Sequence, residues 1–208
     1  MGQIVALQSL IEGRQVWQGR AVPLPSGGET TGWPALDAAL PAGGWPEASL
    51  SEILLPADGV GELQLVLPTL ARLSKQQRAI AVIAPPYVPC VAGWENGGVT
   101  MAHIDMVYTD HPRDALWVSE QCLRAGSYAA VLSWPLHADD RALRRLQVAA
   151  DNGRALGFVF RDRRHAVQAS PAALRLELET EPVRQIRVRK CRGSQPPALP
   201  IPFPADGW

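Results

Sequence analysis

The stretch ASLSEILLPADGVGELQLVLPTLARL, residues 48–73, joins a short apolar run to a longer run with helical periodicity through a glycine-containing loop. Its first eight residues predict a strand, and PADGVG at 56–61 predicts the loop. From Glu62 onward leucines recur every three or four residues, which predicts an amphipathic helix. These leucines are Leu63, Leu67, Leu70 and Leu73. A strand that enters a helix through a short loop is the repeating unit of an α/β fold.

Apolar runs and helical stretches continue to alternate after this unit. The predicted strands cover residues 79–84, 104–109, 128–134 and 155–160, and the predicted helices cover 113–124 and 139–152. Near the C-terminus, LRLELE at 174–179 and QIRVRK at 185–190 alternate strictly, which predicts an antiparallel hairpin. The fold class is therefore α/β, with a mainly parallel sheet that is flanked by helices and ends in an antiparallel hairpin.

Proline and glycine content divides the chain into three parts. Residues 1–30 contain an N-terminal helix, expected over 3–18, and a linker. Residues 31–192 form the α/β domain. Residues 193–208 form a proline-rich tail, which we expect to be extended or disordered.

Charge and cysteine content restrict the class of protein. Twenty Lys and Arg residues balance twenty Asp and Glu residues, so no net field draws the chain to nucleic acid or membrane. The three cysteines lie far apart, which favours reduced thiols in the cytoplasm over disulfides or a zinc site. No run approaches the roughly 18–20 apolar residues that a membrane-spanning helix needs. We therefore expect a cytoplasmic protein without membrane contact.

The loop PADGVG lies where a phosphate-binding loop lies in such folds, between a strand and a helix. The P-loop pattern is G-x-x-x-x-G-K-S/T. Aligned on Gly61, with Gly59 inside the loop, this chain has Pro56 for the first glycine, Glu62 for the lysine and Leu63 for the hydroxyl residue. Phosphate and magnesium contacts are both lost, and a glutamate repels a triphosphate by a few kcal/mol at about 4 Å. We expect no cofactor. An ordinary loop explains these residues equally well.

The residues before the loop favour a nucleotide-binding ancestry. The run TGWPALDAALPAGGWPEASLSEI at 31–53 resembles the approach to the P-loop in the RecA family, where a T-G-x-x-x-L-D-x-x-L helix and a G-G turn precede the phosphate-loop strand. The matching residues are Thr31, Gly32, Leu36, Asp37, Leu40, Gly43, Gly44, Glu52 and Ile53. The resemblance implies a RecA-like, P-loop-type core over residues 31–160.

The catalytic carboxylates of the RecA family are missing from the matching strands. The strand at 79–84 runs into Pro86 instead of a glutamate, and the strand at 128–134 ends at Trp134 instead of an aspartate. The four histidines have no nearby cysteine or carboxylate at metal-ligand spacing. We therefore expect no enzymatic activity, no catalytic residue and no metal site.

Blocks along most of the chain resemble the ImuA family, which is associated with translesion DNA synthesis. They are W-x-G at 17–19, LPAGGWPEASLSEILLPADGVGELQL at 40–65, DALWVSEQCLRAG at 114–126, ADDRALRRLQVAADNGRALGFVFR at 138–161 and KCRG ending at Gly193. The resemblance implies a non-catalytic adaptor in the SOS response, DNA repair and error-prone mutagenesis. Its implied partners are RecA, the inactive Y-family polymerase homologue ImuB and an error-prone C-family polymerase.

Two alternatives stay open. The region from Glu62 to Arg161 also resembles SulA, the damage-induced inhibitor of the cell-division protein FtsZ. SulA-like chains are shorter, and we do not expect the segment 31–53 in them. The second alternative belongs to another class, a protein with residual nucleotide binding through a non-standard loop.

The two ends of the chain carry apolar candidates for partner binding. Leu7, Leu10 and Ile11 lie on the apolar face of the predicted N-terminal helix, which must be buried on this chain or on another. The tail contains Phe203 and Trp208, which we expect to serve as partner anchors.

A basic run in the last predicted strand is a further candidate. Its cations are Arg184, Arg187, Arg189, Lys190 and Arg192. The run suits a docking surface for DNA or protein, or an edge strand that is charged against edge-to-edge association. Any DNA contact is expected to be weak or indirect. A second basic run, from Arg161 to His165, is interpreted as a solvated loop.

Overall fold

The computed structural model describes residues 27–135 and 137–203, and this part of the chain contains ten strands. They are β1 (Gly28–Glu29), β2 (Trp45–Pro46), β3 (Leu50–Leu55), β4 (Ala79–Ile83), β5 (Ile104–Val107), β6 (Tyr128–Ser133), β7 (Leu156–Asp162), β8 (Leu174–Glu179), β9 (Gln185–Cys191) and β10 (Ile201–Pro202). The strands predicted from the sequence correspond to β3 through β9, with ends that differ by at most two residues.

Five α-helices lie between these strands in the described residues. They are α1 (Pro34–Ala39), α2 (Glu62–Lys75), α3 (Val91–Asn96), α4 (Pro112–Arg124) and α5 (Asp140–Gly153). The Asp139 side chain caps α5 by accepting from the amide of Ala142, as the acidic pair at this position predicts. None of the described helices is long and apolar enough to cross a membrane. The predicted helix at 3–18 lies outside the described residues.

Eight strands form one sheet in the order β10-β9-β8-β3-β7-β6-β4-β5. The pairs from β8 to β5 are parallel, whereas β8, β9 and β10 pair antiparallel. The prediction of an α/β fold with a mainly parallel sheet and a terminal hairpin is therefore confirmed. Strands β1 and β2 form a separate two-stranded sheet.

Both faces of the parallel sheet are covered, which explains the continuous apolar runs of its strands. In β4, Ile80 and Val82 pack in the layer that contains α1 and α2, whereas Ala81 and Ile83 pack in the layer that contains α4 and α5. Each helix buries an apolar stripe of its surface against the sheet and exposes its opposite side to solvent.

The segment 31–53 packs α1 against α2. Asp37 accepts hydrogen bonds from the amide and the hydroxyl of Thr31, at 2.8 and 2.7 Å. Gly32 has φ of 85° and lies so close to Pro68 of α2 that a side chain at this position would clash. The T-G and Leu-Asp elements of the sequence therefore have a structural function, which they would serve with or without a nucleotide.

Part of the tail, predicted from the sequence to be extended or disordered, is an ordered strand. Ile201 pairs with Ile186 of β9, and both Ile201 and Phe203 are buried in the core. Since β9 would otherwise leave backbone groups unpaired, a two-residue strand with apolar neighbours gains both hydrogen bonds and burial. Residues 201–203 are therefore extended, one of the two predicted states, but they are ordered and packed in the core, and residues 204–208 lie outside the described part of the chain.

Candidate functional site

In the loop that follows β3, a side chain of the protein itself occupies the backbone amides that would bind a phosphate. Gly59 and Gly61 both have left-handed backbone conformations, with φ of 79° and 104°. The carboxylate of Glu62, the first residue of α2, turns back over the loop and accepts from the amides of Gly59 at 2.9 Å and Gly61 at 3.1 Å. Amides at this position bind phosphate in a P-loop. Here they are already bonded to a buried carboxylate.

The outer side of the loop is closed by Arg184. Its guanidinium donates to the carbonyl oxygen of Val60 at 3.0 Å and to Gln64 at 3.1 Å, and it lies 4.6 Å from the ring centroid of Phe203. A side chain at Gly61 would clash with this guanidinium. Arg184 and Phe203 were predicted to face a partner, but the structure uses both to hold the loop.

The carboxyl ends of the central strands lack room for a nucleotide. The cavity between them is lined by Pro56, Pro86, Trp134 and Arg161, among others, and has a volume of about 180 Å³. Typical small-molecule sites measure about 300–1,000 Å³. The Trp134 ring stacks on Phe160 at 4.6 Å where the RecA family has its aspartate. In residues 27–135 and 137–203 no group of His, Cys, Asp and Glu side chains is arranged to hold a metal ion.

A buried charge cluster links the central strand to two loops. The carboxylate of Glu52, in the middle of β3, bonds to Arg161 and Arg175 at 2.7 Å each, and all three side chains are buried. Arg161 also donates to the carbonyl of Ala138 at 2.7 Å, and Arg175 to the carbonyl of His165 at 2.9 Å. The sequence indicated that Arg161 lies in a solvated loop, and this prediction is wrong, because its side chain is buried. The signal for the cluster was a glutamate inside the apolar strand LSEILL.

The basic run in β9 is paired internally. Arg187 bonds to Glu179 and Arg189 to Glu177, each at 2.5 Å, on the neighbouring strand β8. The hydrogen bond from Arg187 holds the pKa of Glu179 below its usual value. Lys190 donates to the carbonyl of Ser170 at 2.7 Å, and burial lowers its pKa.

This pairing weakens the interpretation of the basic run as a nucleic-acid surface. Such a surface needs cations that are free to meet phosphates, and four of these five side chains have partners within the chain. Strand β10 pairs only with Gln185 and Ile186, so within the described residues no strand lies beside Arg187 to Lys190, which agrees with the interpretation of a charged edge. Arg192 is exposed, and its role in partner binding stays a prediction. The candidates Leu7, Leu10, Ile11 and Trp208 lie outside the described residues.

An exposed apolar patch lies at the carboxyl edge of the sheet and was not predicted. Strands β4 and β5 end side by side, with the amide of Ala84 bonded to the carbonyl of Val107. The residues that follow expose large apolar side chains, with Tyr87 at 69%, Val88 at 83% and Tyr108 at 59% exposure. Val91, at the start of α3, is also exposed. We name these four residues the tyrosine patch.

Lysine at position 62 is expected to restore neither ATP binding nor hydrolysis. The Glu62→Lys variant regains one cation, but Leu63 still supplies no hydroxyl for magnesium and Trp134 no carboxylate. Calorimetric titration with ATP and magnesium should give no binding heat for either protein, and phosphate release should stay at the level of a blank. Micromolar affinity of the parent chain, or turnover by the variant, would contradict this reading of the loop.

The comparisons with known proteins identify a family. The family model "Cell division inhibitor SulA" matches residues 48–157. A cell division inhibitor SulA from Yersinia enterocolitica is 29% identical over 112 residues, which cover 54% of this chain and 67% of that protein. One from Yersinia pestis strain Pestoides F is 34% identical over 100 residues, which cover 47% of this chain and 58% of that protein. The chain thus spans about two thirds or less of these relatives.

A solved structure of SulA from Pseudomonas aeruginosa is also similar. The likeness has 28% sequence identity and a TM-score of 0.46, and it covers 53% of this chain and 96% of that one.

These findings correct the resemblance to ImuA. The expected roles in translesion synthesis, DNA repair and mutagenesis are wrong, as are the expected partners RecA, ImuB and the C-family polymerase, because the matches are to SulA. The blocks at 114–126 and 138–161 misled the interpretation, since they lie within or largely within the region that the SulA family shares. The expectation that the protein is not an enzyme agrees with a family of inhibitors. Because the family model covers more than half of its residues, this chain belongs to the SulA family of cell division inhibitors.

Proposed function

We propose that this chain inhibits bacterial cell division by binding the division protein FtsZ, as part of a response to DNA damage. The match of residues 48–157 to the SulA family carries the proposal. This region contains strands β3 to β6, the start of β7 and helices α2 to α5. It therefore includes most of the parallel part of the sheet with helices on both faces, a rigid frame for a binding surface.

A binding role without nucleotide chemistry agrees with the loop after β3. Its amides are bonded to Glu62, and Arg184 closes its outer side. The likeness of residues 31–53 to the RecA family supports a RecA-like origin for the core, with the nucleotide site lost. The chain would then act through its surface alone, and its effect on FtsZ would be stoichiometric rather than catalytic.

The tyrosine patch is the surface that best fits this role. All four of its residues lie in the region shared with the SulA family. Exposed aromatic side chains cost solvation free energy in the free protein, and aromatic residues are enriched among the anchors of protein interfaces. We place the FtsZ contact on this patch.

Purified FtsZ with GTP provides the test, with polymer formed followed by light scattering and GTP hydrolysis followed by phosphate release. The parent chain is expected to suppress both in proportion to its concentration. The Tyr87→Asp/Tyr108→Asp variant should bind FtsZ about 100-fold more weakly, since loss of a hot-spot residue costs about tenfold or more. Val183→Asp, an exposed apolar position outside the shared region, is the matched control and should inhibit like the parent.

The outcomes separate the function from the patch. If the parent chain leaves FtsZ polymerisation unchanged, the proposed function is wrong. If the double tyrosine variant inhibits as well as the parent, FtsZ docks elsewhere on the chain and only the placement fails.

A further inference from the structure

Two buried hydrogen-bond donors at the carboxyl edge of the sheet have no acceptor among the described residues. They are the indole Nε1–H of Trp134 and the Nε–H of Arg161. The two residues are only 7% and 6% exposed, and neither nitrogen is in contact with solvent. Because a buried donor without an acceptor destabilises a protein, two of them at one edge of the sheet indicate that an acceptor is missing.

Both donors belong to residues that line the same cavity, the one of about 180 Å³ at the carboxyl ends of the central strands. This volume is several times the roughly 30 Å³ that a water molecule occupies in the liquid. The cavity also has an apolar wall, which is formed by Leu55, Pro56, Pro86 and Phe160. Donors beside an apolar wall suit a small ligand with an acceptor at one end and carbon atoms at the other.

The charges near the cavity favour a ligand with one negative charge. Glu52 is shared by Arg161 and Arg175, so this buried cluster carries one positive charge in excess. At the rim, Asp162 lies 3.8 Å from Arg164, and Asp58 is exposed to solvent, which screens its charge. A single anionic group therefore neutralises the cluster, whereas a doubly charged phosphate exceeds its charge.

We propose that this cavity binds a small monocarboxylate, whose oxygens accept from Trp134 Nε1 and Arg161 Nε and whose short carbon chain contacts the Phe160 ring. A carboxylate carries one charge and accepts several hydrogen bonds, and bonds to an ionised acceptor are the stronger kind. Since both nitrogens are closed to solvent, the ligand enters when the exposed wall at residues 57–58 moves outward. The site does not depend on the proposed binding of FtsZ.

Titration of the full chain with propionate, followed by nuclear magnetic resonance, tests the site. The indole N–H signal of Trp134 is assigned by its loss in Trp134→Phe. In the parent chain it should move downfield and saturate with a dissociation constant of about 1–10 mM, the range that two charge-assisted hydrogen bonds give to a small ligand. Sodium chloride at the same concentrations should leave the signal in place.

Propionamide is the matched ligand control, because it has the shape of propionate without the charge. It should bind at least about tenfold more weakly, since a neutral acceptor forms weaker hydrogen bonds with both donors. This comparison uses the parent chain alone, so it does not depend on the folding of any variant.

The backbone amides of Ala57 and Asp58 report binding in the variants as well. Trp134→Phe keeps a ring to stack on Phe160 and removes the N–H, so its affinity for propionate should fall about tenfold. Trp117→Phe is the matched control, because Trp117 is exposed on α4 and does not line the cavity, and it should bind propionate like the parent. Circular dichroism verifies that both variants are folded.

Three results would overturn the proposal. If the Trp134 signal shows no saturable shift with propionate, the cavity holds water only. If propionamide binds as tightly as propionate, the negative charge is not recognised. If the folded Trp134→Phe variant binds propionate as tightly as the parent, the indole is not a donor to the ligand.

Discussion

Glu52→Gln is expected to lower the free energy of unfolding by about 3–5 kcal/mol, the largest loss from any single change of charge in the described residues. The substitution keeps the shape of the side chain and removes its negative charge, so no cavity contributes. Arg161 and Arg175 would then be two buried cations with no counter-ion between them. Since these arginines also hold the carbonyls of Ala138 and His165, the two loops at the carboxyl edge should loosen together.

Urea unfolding followed by circular dichroism measures the effect, and the melting temperature should fall by roughly 10 °C. Glu95→Gln is the matched control, because Glu95 is exposed on α3, and its stability should change by less than about 0.5 kcal/mol. A triple replacement of Glu52, Arg161 and Arg175 by methionine should recover much of the loss, since it removes the unpaired charges as well. A loss below about 1 kcal/mol for Glu52→Gln would mean that water or another group compensates the two arginines.

The fold was predictable because it rests on local patterns. Strands such as 79–83 are continuous apolar runs, and helices such as 140–153 have an acidic start and a glycine end, so each element is marked by its own residues. The charge cluster was not predictable in the same way. Glu52 meets Arg161 and Arg175 only because β3, β7 and β8 are neighbours in the sheet, a fact of topology rather than of spacing.

The candidate site shows the same limit. The sequence indicated that Glu62 would repel a triphosphate, but not that its carboxylate bonds to the amides of Gly59 and Gly61. The exposure of the tyrosine patch could not be predicted from the sequence either. Tyr87 and Tyr108 follow strands, as buried aromatics often do, and only the order of the strands places both at an uncovered edge. Phe203 was assigned to an extended or disordered tail, because the proline content of a segment does not show whether a neighbouring strand such as β9 has free backbone groups for it to pair with.

Phe203→Ala is expected to destabilise the protein by about 3 kcal/mol, within the range found for buried phenylalanines. Phe203 is only 5% exposed, and its ring lies 5.8 Å from Trp33 and 4.6 Å from the Arg184 guanidinium. Removal of the ring leaves a cavity and also releases Arg184, which holds the loop after β3. The loss of unfolding free energy should therefore be larger than the loss from one hydrophobic contact alone.

Leu199→Ala tests whether this effect is specific to the packed end of the tail. Leu199 belongs to the same proline-rich stretch but is 79% exposed, so its truncation should change the unfolding free energy by less than about 0.5 kcal/mol. Chemical unfolding of both variants, compared with the parent, gives the two values. Hydrogen exchange at Val60 and Gly61 supplies a second readout, which should rise in Phe203→Ala because Arg184 loses its platform. If the two variants are equally stable, the tail contributes no packing and residues 201–203 are held by their backbone alone.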